Sequence, residues 1–177
     1  TVKPYTVVEK DGVKVALVGT TSNLTPEKSN PANIAGVEFT DSAEQVNVEA
    51  KKIKDSGEAD LVIALMHDPA NTSAPKLDPK YVDFVFGGDD HIRRLELDRD
   101  GKVPFAQSQE YGKVVTNIAF TYDKADKKLV KVEGEQIDAS RLDELGITPD
   151  PVVEKIVAQA DEISKELGQK VVANIDA

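Results

Sequence analysis

Two apolar runs constrain this chain most: Leu61–Met66 (LVIALM), which has no polar interruption, and Val82–Phe86 (VDFVF), broken only by Asp83. Runs this short and this apolar read as strands covered on both faces, in the middle of an α/β sheet. Val13–Gly19 (VKVALVG) has the same character toward its end. Between Val13–Gly19 and Leu61–Met66, Val46, Ala50 and Ile53 recur at helical spacing. Asp41 or Ser42 supplies the N-cap, Glu44 lies in the first turn, and Gly57 stops the helix. Strand, helix, strand, loop, strand predicts a right-handed α/β layer.

The flanking segments differ. Tyr5–Lys10 and Val13–Gly19 are joined by Asp11-Gly12, a two-residue hairpin signal. Beyond the second apolar run the strands are expected at 94–97, 103–106, 114–122 and 129–137, with alternating polarity. This half is read as a separate antiparallel layer over 94–137 with one wet face. Pro149-Asp150-Pro151 then opens a helix whose stripe comprises Val153, Ile156, Val157, Ala160, Ile163 and Leu167. Val171 to Ile175 reads as the start of another strand. The absence of leader-like sequence before Tyr5 is read as a removed leader or an excerpt.

Composition narrows the functions. The 177 residues and 40% hydrophobic content suffice for a real core. A net charge of -10 and only 5% aromatic residues argue against a nucleic-acid partner. Acidity does not forbid a small phosphate ester, because a bound cation reverses the local field. With no cysteine, disulfides and thiolate metal sites are excluded. No run is long enough for a membrane span.

The chain has two histidines, His67 and His91, and both follow apolar strands. Ligands of open α/β sheets bind at the carboxyl ends of strands. Two imidazoles with Asp68, Asp89 and Asp90 at adjacent strand ends are a candidate divalent-cation set. A polar residue after a buried strand is also ordinary, since the chain must surface there. No P-loop, dinucleotide fingerprint or nucleophile elbow is present.

Several segments together resemble a known family. They are Pro4-Tyr5 with Asp11–Val15 and Val18-Gly19, then Thr25-Pro26, Asn30-Pro31 and Gly36–Asp41. Ala59–His67, Val82–Gly88, Pro104–Gly112 (PFAQSQEYG) and Pro149–Pro151 follow in order. Over roughly 4 to 160 the chain resembles the 5'-nucleotidase branch of the calcineurin-like metallophosphoesterases. The resemblance implies an α/β fold, a partial metallophosphoesterase-type β-sandwich flanked by helices, with a mixed sheet plus an antiparallel sheet. Residues 1–148 would be the C-terminal half of that catalytic domain, and 149–177 a linker helix with the start of a following domain.

The resemblance also implies chemistry. Two divalent cations (Mn, Zn or Mg) activate water against a nucleotide or related phosphate monoester or diester. His67 would bind one cation, and His91, at the last position of the Gly-Gly-His-x-His type motif, the other. Asp89 stands where the motif's first His belongs, Gln109 where a glycine does, and Asp68-Pro69 where Leu-Gly does. The family's first-half motifs, an Asp-x-His pair, a bridging Asp and an Asn-His, are not in these 177 residues. The expectation is a hydrolase fragment inactive by itself, from a secreted, cell-wall-associated or periplasmic bacterial protein, with homodimerisation through the surface the other half would cover. The alternatives are a degenerate, non-catalytic cell-surface interaction module, or an unrelated α/β ligand-binding lobe of a secreted receptor.

Overall fold

A computed structural model describes residues 3–171 and 173; the strand expected at 171–175 falls largely outside them. The chain divides into two compact units, Thr1–Ala139 and Ser140–Ala177.

The first unit is built on a six-stranded sheet of order β1-β2-β3-β4-β6-β5. The edge hairpin is β1 (Tyr5–Lys10) and β2 (Val13–Thr20), paired antiparallel with Lys10 opposite Val13. Its turn places both Asp11 (φ 53) and Gly12 (φ 75) in the left-handed region. That geometry matches the strand twist and suits this dipeptide. β3 (Leu61–Met66) pairs parallel with β2, and β4 (Phe84–Phe86) parallel with β3. The β2–β3 crossover contains α2 (Ser42–Ser56), capped by Asp41, whose carboxylate accepts from the Glu44 N–H at 2.9 Å.

One sheet face packs under α2: Ala16, Val18, Val62, Ala64 and Val85 meet Val46, Ala50 and Ile53 there. The other face carries Ile63, Phe84 and Ala106. A second, two-stranded sheet covers that face: β7 (Val114–Asp123) and β8 (Lys128–Asp138), through Ile118, Phe120 and Val132. The Phe84 and Phe120 rings meet edge to face, centroids 5.3 Å apart. This is the mixed sheet plus antiparallel sheet expected of the fold.

One detail is corrected. β5 (Arg94–Glu96) and β6 (Phe105–Gln107) do not join the antiparallel layer. β6 runs parallel to β4 in the main sheet, and β5 closes its edge. Three-residue strands are too short for alternation to reveal their sheet. The loops also hold short helices that the sequence reading leaves as coil: α1 (Thr25–Lys28) and α3 (Ala70–Ser73).

The second unit contains α4 (Pro151–Gly168). Asp150 caps it, accepting from the N–H groups of Val152 (2.8 Å) and Val153 (3.1 Å), with Pro151 in the first turn. Its apolar stripe, including Val153, Ile156, Ile163 and Leu167, is exposed.

Candidate metal centre at the strand ends

Parallel order puts the carboxyl ends of β2, β3 and β4 side by side. The His67 N–H donates to the Thr20 carbonyl at 3.1 Å. The Gly88 N–H donates to the Asp68 carbonyl at 3.0 Å, tying the two strand-end loops together. Gly87 is required there by space: a Cβ would lie 2.6 Å from Ala70 Cβ and 2.7 Å from its backbone nitrogen. That close approach brings the turn after β4 against α3. Asp89 (φ 73) and His91 (φ 60) both adopt left-handed backbone, which Asp and His tolerate better than most side chains. The Asp90 N–H donates to the Gly88 carbonyl at 3.0 Å between them.

The five candidates then separate. Asp89 faces His67, with Oδ1 3.7 Å from Nε2. Both Asp89 oxygens also accept from the Lys28 ammonium, at 2.7 and 2.9 Å. His91 turns to another partner: its Nδ1 lies 3.6 Å from Glu110 Oε2, and its ring centroid 6.0 Å from that of Tyr111. Glu110 is also bound by Lys113, and that bond is the main reason its carboxyl sits below the ordinary range. Asp90 belongs to Arg94, whose guanidinium grips both oxygens at 2.7 and 2.6 Å, and it also accepts from Gln107. Those bonds, Arg94 first, hold its pKa down to about 2. Asp68 is buried and structural: it accepts from Ser42 Oγ at 2.7 Å and the Asn23 N–H at 3.3 Å. Gln109, singled out in the sequence, is exposed.

The structure therefore forms two pairs, His67 with Asp89 and His91 with Glu110, in place of one cluster. Among the described residues no group of three or more His, Cys, Asp or Glu is placed to hold a metal ion. By themselves these residues do not fit a divalent cation, because the nearest carboxylates already carry Lys28 and Arg94 as counter-charges. One feature at the same place remains unsatisfied: the Thr20 hydroxyl oxygen is buried without a hydrogen-bond partner. Thr20 lines a shallow hollow of about 300 Å³ with His67, Gly87 and Gly88. A larger hollow of about 590 Å³ lies along α2 beside Tyr81 and contains no histidine.

Sequence reasoning missed Lys28, Gln107 and Glu110. Gln107 and Glu110 lie in the PFAQSQEYG stretch, which was visible as a segment but carried no assigned role. Lys28 is 61 residues from its partner, in a loop with no periodicity to mark it.

No family model matches the chain. It is similar to endonuclease YhcR of Bacillus subtilis, 28% identical over 178 residues that cover 95% of this chain and 14% of that protein. It is likewise 28% identical to the snake venom 5'-nucleotidase of Naja atra, over 196 residues covering 96% of this chain and 35% of the other. The crystal structure of the calcineurin-like phosphoesterase YfkN from Bacillus subtilis superposes with a TM-score of 0.75 at 22% identity, over 94% of this chain and 59% of that one. The chain thus spans less than two thirds of each of these proteins. With its parallel strands ending at His67 and Gly87-Gly88, it has the fold of the calcineurin-like phosphoesterases, and in sequence it is similar to part of the longer 5'-nucleotidases and nucleotide phosphoesterases.

Proposed function

We propose that this chain is part of the catalytic domain of a metal-dependent phosphoesterase acting on nucleotides or related phosphate monoesters and diesters. The observation that carries this reading is the meeting of His67 and Asp89, 3.7 Å apart, at the carboxyl ends of two parallel strands. That is where α/β sheets bind ligands. His67, Asp89 and His91 are its proposed metal ligands, for Mn, Zn or Mg. The set is incomplete within the described residues, so the reading requires further ligands from elsewhere and expects the chain to be inactive by itself. Residues 1–148 would be the catalytic-domain part and 149–177 the linker helix and the start of a further domain. An extracellular, cell-wall or periplasmic location belongs to the same proposal; no described helix is long and apolar enough to cross a membrane. Homodimerisation would use the surface left open around Leu65, 41% exposed at the end of β3.

The test is nucleotide hydrolysis by the full-length protein with added Mn or Zn. His67→Ala should remove most of the rate, and an unchanged rate would refute the reading. A second reading, a non-catalytic module on the same scaffold, is favoured by the counter-charges on Asp89 and Asp90. Full-length phosphatase activity that disappears in His91→Ala would eliminate it.

A further inference from the structure

Gln107, the last residue of β6, is the most deeply buried polar residue among those described, 1% exposed. An amide so hidden must make its hydrogen bonds inside the protein. Its Oε1 accepts from the Ala70 N–H at 2.9 Å, and its Nε2 donates to Asp90 Oδ1. Only one orientation of the amide meets both demands, because a backbone N–H needs an acceptor and an ionised carboxylate needs a donor. The two partners lie on different loops. Ala70 opens α3, the short helix that follows His67, and Asp90 stands between Asp89 and His91. One amide therefore joins the loop after β3 to the loop after β4. Its surroundings brace it. Arg94, opposite Gln107 in the β5–β6 register, grips both oxygens of Asp90. The Gln107 carbonyl accepts from Gln136 Nε2 at 2.9 Å, which anchors its backbone to β8.

The Gly88-to-Asp68 backbone bond ties the same two loops nearer their roots. Asp89 is thus bracketed, with Gly88 tied on one side and Asp90 on the other. Asp89 (φ 73) and His91 (φ 60), the left-handed residues, flank the one that Gln107 holds. Left-handed backbone at residues other than glycine persists where its surroundings over-determine it. We propose that Gln107 is a positioning residue for the strand-end site: it keeps the 89–91 turn in its left-handed form and fixes that turn against the loop that carries His67. The geometric claim stands on the two amide bonds. That the geometry serves hydrolysis rests on the reading of the full-length protein as a phosphoesterase.

The two imidazoles supply the test, since the chain has no other histidine and each loop carries one. Their NMR signals are compared at one pH in the 177-residue chain and in three variants. Gln107→Met keeps the length and loses both bonds. Asp90→Ala loses one of them and leaves Gln107 in place, so it carries the test if Gln107→Met does not fold. Asn47→Leu is the control: its amide also makes two bonds, donating to the Lys76 carbonyl and accepting from the Asp78 N–H, both at 2.9 Å, but between α2 and the 76–78 loop. Gln107→Met and Asp90→Ala should each displace both signals, that of His67 included, although among the described residues His67 bonds neither Gln107 nor Asp90. Asn47→Leu should lower the melting temperature and leave both signals in place. In the full-length protein, Gln107→Met should lower kcat for nucleotide hydrolysis about 10- to 100-fold, the scale of a misplaced reacting group, with KM little changed. A His67 signal unmoved in the folded variants would overturn the proposal. So would an equal displacement in Asn47→Leu, which would leave Gln107 a merely structural role. An unchanged kcat in Gln107→Met of an active full-length protein would overturn positioning for catalysis. A full-length parent that hydrolyses no nucleotide would instead sink the phosphoesterase reading, and the imidazole signals would still decide the geometric claim.

Discussion

Asp83 and Asp89 bracket the same strand, one before β4 and one after it, and their side chains are almost equally hidden, 12% and 10% exposed. Their partners differ in kind. Asp83 accepts from the Val62 backbone N–H at 2.8 Å and is flanked by Lys54 at 2.8 Å and Arg99 at 3.7 Å. Those partners come from β3, from α2 and from the loop between β5 and β6, so Asp83 ties several elements together. Among the described residues Asp89 has side-chain partners alone, and the nearer one, Lys28, is half in water. The amino end of the strand is held by backbone and side-chain partners from several elements, while the carboxyl end keeps a carboxylate whose counter-ion is half exposed. That is the division of labour expected of parallel sheets.

The largest expected effect breaks this comparison at its rigid end. Asp83→Ala leaves Lys54 and Arg99 without their shared anion and Val62 without its acceptor. It should cost about 3 kcal/mol in urea unfolding. Gly87→Ala should cost about 2 kcal/mol, since the new methyl meets Ala70 backbone that cannot step aside. At the open end, Asp89→Ala in EDTA should cost under about 1 kcal/mol, the range of a partly exposed ion pair. A cost equal to that of Asp83→Ala would mean that the two ends are not different in kind. The smallest effect isolates the backbone-donor component. Asp123 accepts from the N–H groups of Ala125 (2.8 Å) and Asp126 (3.1 Å) in the β7–β8 turn, and these bonds lower its pKa. A depressed carboxylate stabilises the folded state above its unfolded pKa and loses that contribution as pH falls through the folded value. Between pH 5 and 3 the parent's stability should therefore fall more steeply than that of Asp123→Asn.

Legibility followed the range of the interactions involved. Asp41 as N-cap, the Asp11-Gly12 hairpin and the LVIALM strand were readable because their cause lies within a few residues. The candidate ligands of the metal reading are only partly brought together by the structure. Asp89 and His67 do meet, but Asp68 turns inward to Ser42, Asp90 to Arg94 and His91 to Glu110. Each of these choices is made by a residue that spacing does not connect to the site, Arg94 excepted, four residues from Asp90.

By itself the sequence determined that parallel strands would end together at His67 and Gly87-Gly88, because apolar runs must be covered on both faces and the chain must surface where they stop. It also determined the caps and turns, which are local hydrogen-bond chemistry. Only the tertiary structure decided which cation each carboxylate takes. The pairing of Lys28 with Asp89 spans 61 residues and depends on two loops being pinned within reach of each other, and no periodicity encodes that distance.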